Sequence, residues 1–173
     1  MNYVATFARF AEHLNNLCAD LDKAVAYAAE KKFDPAVLLN ARLAPDQFNL
    51  MRQIQVACDN AKNGAGRLAD RTVPAHADNE ATVAELQTRL KAVVELLGSF
   101  DEAAFAGADE RVIALPYWGG RYMTGADYLA HYLVPNFYFH VTTAYSILRH
   151  NGVSLGKLDY LGRLPLRLPA TQG

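Results

Sequence analysis

Two cysteines in 173 residues, Cys18 and Cys58, are too few for a disulfide scaffold, and they form neither a CxxC pair nor a zinc-ribbon spacing. Both fall on apolar helical stripes, the ordinary place for a buried free thiol. Charge of one sign is also missing. Lys plus Arg number 17 and Asp plus Glu 18, a net charge of −1. No basic excess is available for phosphate backbones or anionic membranes, so neither nucleic acid nor membrane is an expected partner. No apolar run approaches the ~18 residues of a membrane span. Arg9, Glu12, Asp20, Asp22 and Lys23 interrupt any apolar core that a signal peptide would need. A reducing cytoplasm is the expected compartment. HExxH, GxSxG, P-loop and GxGxxG motifs are absent, and Ser99, Ser146 and Ser154 have no evident His and acid partners, which leaves the common hydrolase, metalloprotease and nucleotide-binding readings unsupported.

What is present is helical. Hydrophobic residues make up 51% of the chain and charged residues 20%, the balance of one folded domain spanning residues 1–173. Tyr3, Phe7, Phe10, Leu14, Leu17, Leu21, Val25 and Ala28 recur every three or four positions and predict a helix over about 2–30. Residues 31–46 read as a connection with one short turn after Pro35. Met51, Ile54, Cys58, Ala61, Ala65 and Leu68 predict a second helix over about 45–69, started by Pro45 and Asp46. Its last turn, with Gly64 and Gly66, is expected to be frayed or tightly packed. Thr82 and Glu85 fit a capping box that opens a third helix over about 80–98. Residues 111–123 suggest a small hairpin around Gly119-Gly120. Thr124 to Asp127 resembles another cap, for a last helix that runs to about Arg149 and ends at Asn151-Gly152. Pro135 must kink or divide it. Beyond Val153 the chain reads as irregular, with a tail after about residue 163. Four amphipathic helices with almost no strand signal give an all-α fold, most simply a four-helix bundle.

The last helix is apolar all round. Tyr128, Tyr132, Phe137, Tyr138, Phe139 and Tyr145 cover its whole circumference at about 100° per residue. Either the hairpin and tail cover it, or it forms a homodimer interface. Amid these residues Asn136 and His140, at i and i+4, share a face that should point to the core. The second helix offers Gln55, Asp59 and Lys62 opposite them. A buried network of Gln55, Asp59, Asn136 and His140 is coherent between two rigid helices, with Gln55, Asn136 and His140 expected in one cavity. It could fix helix register, bind a small ligand or hold a metal. His140 is the best candidate metal ligand and Asp59 a second. The amides suit hard cations better than transition metals, so no tightly bound transition metal is expected. His13, His76, His131 and His150 are weaker candidates.

The stretch Pro135-Asn-Phe-Tyr-Phe-His140 onward to Val153, with Leu155-Gly-Lys157 and Asp159-Tyr-Leu-Gly162, resembles the C-terminal signature of a family of uncharacterised bacterial domains grouped with the DinB/YfiT-like metalloenzymes. The resemblance extends to Asp34–Asp46 and to the region of Gln55, Asp59 and Lys62. It implies a four-helix bundle with an unusual connection order, often dimeric. It also implies a divalent metal on three histidines, one from the second helix and an HxxxH pair from the last; some members act on low-molecular-weight thiols. Here His140 matches the second histidine of the pair and Asn136 stands at the first. The second helix has no histidine, and Gln55 or its neighbourhood occupies that place. The resemblance thus implies a retained pocket with amides at two of three ligand positions. Two readings follow: a polar pocket for an unknown small molecule, or a metal-dependent or His-based enzyme, such as a thiol-transferase-like activity.

Overall fold

The computed structural model describes residues 2–167. Its longest element, α1 (Tyr3–Lys31), carries the first stripe on one side, and Asn2 caps it by accepting a hydrogen bond from the Ala5 amide. A single turn, α2 (Ala36–Leu39), follows Pro35 as expected. Helix α3 spans Leu50–Leu68 and α4 spans Val83–Gly98. The capping box of Thr82 and Glu85 is complete on both sides. Two three-residue strands, β1 (Val112–Ala114) and β2 (Tyr122–Thr124), pair antiparallel with Ile113 opposite Met123. The chain then enters α5 (Gly125–Asp127), a π-helical stretch (Tyr128–Leu133) and α6 (Val134–His150). A last short helix, α7, covers Lys157–Leu161.

Of three boundaries, two differ from the expectation and one, the division of the last helix at Pro135, follows it. Helix α3 starts five residues later than Pro45, because Asn49, not Asp46, supplies the cap, accepting from the Arg52 amide at 3.0 Å. The residues between are a turn in which Arg42 donates to the carbonyls of Pro45 and Gln47 at 3.3 Å each. Pro135 divides the last helix. Proline has no N–H for the His131 carbonyl and its ring crowds the preceding turn, so the backbone widens into a π-helix before α6 resumes. Third, the stretch after Val153 is not wholly irregular. Asp159 caps α7 through the Gly156 amide at 2.8 Å and pairs with Lys23 of α1 at 2.7 Å. Residues 162–167 have no regular structure, and the rest of the tail, 168–173, lies outside the described residues.

Helix α1 packs chiefly against α4 and α6, and α3 against the same two. The bundle order is therefore α1, α4, α3, α6, with α1 and α3 across one diagonal. Both long connections, residues 32–49 and 99–124, cross a diagonal, while the shorter α3–α4 link joins neighbours. The core between them includes Phe7, Phe10, Leu14, Ile54, Leu90 and Phe137, all essentially without exposure, with Phe10 stacked on Phe137 at 3.9 Å. Burial of each such side chain contributes roughly 1.5–3 kcal/mol. The last turns of α3 are packed tightly and are not frayed. A Cβ on Gly64 would come within 2.6 Å of Leu133 Cδ1, so glycine is what lets the π-helical stretch approach α3. No helix of the described residues is long and apolar enough to cross a membrane.

Candidate functional site

His140 lies on the face of α6 that meets α3, 7% exposed. Its Nδ1 sits 2.7 Å from Gln53 Oε1. The amide nitrogen of Gln53 donates to the Phe48 carbonyl at 3.2 Å, which fixes Oε1 toward the ring. An oxygen facing Nδ1 requires a proton there, so His140 is the Nδ1–H tautomer and Nε2 carries the lone pair. Burial, with the charge of Arg52 added, pushes the imidazole down to about 4. It is neutral at pH 7 and a weak base. One turn earlier Asn136 Nδ2 donates to Asn60 Oδ1 at 3.1 Å. Asn60 Nδ2 is buried and has no partner among the described residues.

Gln55 and Asp59 are on another side of α3, two and six positions beyond Gln53, and face α4 and the 70–82 connection. Gln55 donates to Glu80 at 2.9 Å and accepts from Arg52 at 3.2 Å. Asp59 pairs with Arg89 at 2.9 Å and with Lys62 at 3.2 Å. The expected single network is thus corrected to two. Gln53, Asn60, Asn136 and His140 join α3 to α6, and Gln55 and Asp59 join α3 to α4. Arg52 is the link, bonded to Gln55 and Asp78 while its charge reaches His140.

The second network centres on Arg89, whose side chain is 2% exposed. One nitrogen reaches Asp78 at 2.5 Å and Glu80 at 3.0 Å; the other reaches Asp59 and, at 3.2 Å, the Gln55 carbonyl. Asp78 and Glu80 come from the 70–82 connection, so a buried guanidinium pins an otherwise irregular segment to two helices. Lys62 adds bonds to the Pro74 carbonyl at 2.8 Å and to His76 Nδ1 at 3.0 Å. Against the opposing desolvation, hydrogen bonds from Arg89 and Arg52 hold Asp78 below the usual carboxylate range, and a backbone amide, Arg89 and Gln55 do the same for Glu80. Both terminal guanidinium nitrogens of Arg89 are engaged in holding structure, while its buried Nε has no partner among the described residues.

Gln53, Asn60 and Arg89 were not singled out from the sequence. A signal for each exists. Gln53, Ala57, Asn60 and Gly64 are spaced 4, 3 and 4, a second stripe alongside the apolar one on α3. Arg89 follows Leu86 by three and precedes Val93 by four, an arginine in an apolar stripe that demands carboxylates.

Among the described residues no group of three or more His, Cys, Asp or Glu could hold a metal ion. The donors that surround His140 are one imidazole nitrogen and three side-chain amides. That set does not fit the three-histidine site that the resemblance implies, since amides are poor ligands for transition metals. Surface hollows of ≈ 710, 680 and 440 Å³ are lined by other parts of the chain: α1 with residues 102–110, α1 with the tail, and α1 with the start of the last helix.

Residues 2–161 match the family described as "Domain of unknown function (DUF1993)". The chain is also similar to a crystal structure of a DinB family member protein from Shewanella denitrificans. The two are 52% identical over 94% of this chain and 93% of the other, with a TM-score of 0.91. Among curated proteins, none matches.

Proposed function

This chain belongs to the DUF1993 family and has the DinB bundle, and on that footing we propose that it binds a small polar molecule at His140 without a tightly held transition metal. The observation that carries the reading is the hydrogen bond between His140 Nδ1 and Gln53, which commits Nε2 to accept. A neutral, oriented imidazole with amides one turn away is suited to a ligand that donates a hydrogen bond, such as a hydroxyl or an amide N–H. Metal analysis of the protein after dialysis tests it. Trace zinc, unchanged in His140→Ala, supports the reading. Near one zinc per chain, lost in His140→Ala, would make the site a metal centre with unusual ligands.

The second reading is an enzyme in which His140 takes a proton or holds a metal, as in a thiol-transferase-like reaction. Its support is the place of His140 within the superfamily's HxxxH motif. Against it, an imidazole pushed down to about 4 is a poor general base at neutral pH. The homodimer is proposed around Phe139, 55% exposed on α6. The other aromatic residues of the last helix are covered within the chain, Tyr145 by Tyr160 of α7 and Tyr132 by Trp118 of the hairpin.

A further inference from the structure

The hairpin insertion holds a hollow of ≈ 330 Å³ lined by Tyr117, Trp118, Arg121, Tyr122 and Met123. That volume is at the lower end of small-molecule sites, room for one or two rings. Four features make it a built surface. Gly119 and Gly120 both adopt positive φ, 61° and 80°, so the chain folds back and the Arg121 amide donates to the Trp118 carbonyl at 3.2 Å. The tyrosine hydroxyls of Tyr117 and Tyr132 are 2.7 Å apart, which braces Tyr117 against the last helix. Trp118 sets its ring edge-on to Tyr132 at 5.3 Å and to Tyr128 at 6.3 Å. Tyr128 and Tyr132 stack at 5.6 Å within the π-helical stretch that Pro135 imposes. The aromatic wall is therefore anchored in the bundle and not free to collapse.

Tyr117 and Tyr122 nevertheless keep 70% and 63% of their surface in solvent. Arg121 is exposed and forms no ion pair among the described residues. Aromatic faces beside an unpaired guanidinium favour a partner that is both flat and anionic. We propose that the hollow binds a planar aromatic carboxylate, the ring lying against Trp118 and the tyrosines and the carboxylate on Arg121. The site is separate from His140 and does not depend on the reading above.

Trp118 is the one tryptophan of the chain, so its fluorescence reports on this hollow alone. The experiment titrates the full chain with benzoate, its neutral isostere benzamide, and the non-aromatic cyclohexanecarboxylate. A saturable change with benzoate at a Kd of about 1 mM or tighter is expected, with both analogues weaker by roughly tenfold. Arg121→Gln, a change at an exposed position, should bring benzoate down to the benzamide level and leave benzamide unchanged. Equal response to benzoate and benzamide in the wild type, or none that saturates, would overturn the proposal. So would concentration-dependent sedimentation abolished by Tyr122→Ser without any benzoate response, which would make the surface a contact between copies.

Discussion

Two buried titratable side chains act against each other. His140 is pushed down to about 4 and Asp20, 2% exposed in α1 beside Asp159, is pushed up to about 7, chiefly by burial. On acidification the unfolded chain protonates its histidine near pH 6.5 and the folded chain only near 4, so His140 withdraws about 3 kcal/mol of stability across that window. Asp20 has the opposite sign. Its folded carboxyl takes a proton near pH 7 and its unfolded one near 4, so stability falls as pH rises through that same range. The wild-type curve is expected to be flat where either group alone would slope. Asp20→Asn should raise the melting temperature near pH 8 and leave it unchanged near pH 4, and thermal melts against pH will show whether it does. His140 was legible from its face on the helix. Its partner was not, because Gln53 sits outside the apolar stripe that located α3, and the amide is oriented by the Phe48 carbonyl just before the helix.

At the scale of elements, close packing and the arginine clamp carry the consequences. Gly64→Ala gains about 1 kcal/mol of helix propensity but forces a Cβ into the methyl groups of Leu133, a fully buried side chain that must shift within the core. Overpacking of this kind costs about 1–3 kcal/mol, so the variant should be less stable than wild type in chemical denaturation. Arg89→Ala leaves Asp59, Asp78 and Glu80 without their shared cation, and breaking a buried pair in this way costs about 3–5 kcal/mol. Hydrogen exchange should then rise in residues 70–82 before it rises in α1. The helices themselves were readable from periodicity, and the Thr82 and Glu85 box from four residues. The start of α3 and the existence of α7 were not, since each depends on a contact from elsewhere: Arg42 folding the preceding turn, and Lys23 of α1 receiving Asp159.

For the whole molecule, the bundle order explains why pairing the second and last helices by facing alone merged two networks into one. α3 has two neighbours, α4 and α6, and a residue two positions from Gln53 turns toward the other. A residue's place on a helix face fixes its partner only together with the helix that stands opposite, and the diagonal connections hide that helix in chain order. The proposed homodimer belongs at this scale too. Sedimentation is expected to show a species of twice 19.0 kDa that Phe139→Ser converts to monomer; monomer alone in the wild type at tens of micromolar, roughly the range that populates a modest interface, would contradict it.

The most direct measurement is the nitrogen NMR spectrum of the His140 imidazole, assigned by its loss in His140→Ala and followed from pH 8 to 4. The expected result is a neutral ring with the proton on Nδ1 throughout the neutral range, protonation only near pH 4, and no displacement of Nε2 on adding one equivalent of zinc. A proton on Nε2, half-protonation near pH 6.5, or an Nε2 resonance shifted by stoichiometric zinc would contradict it.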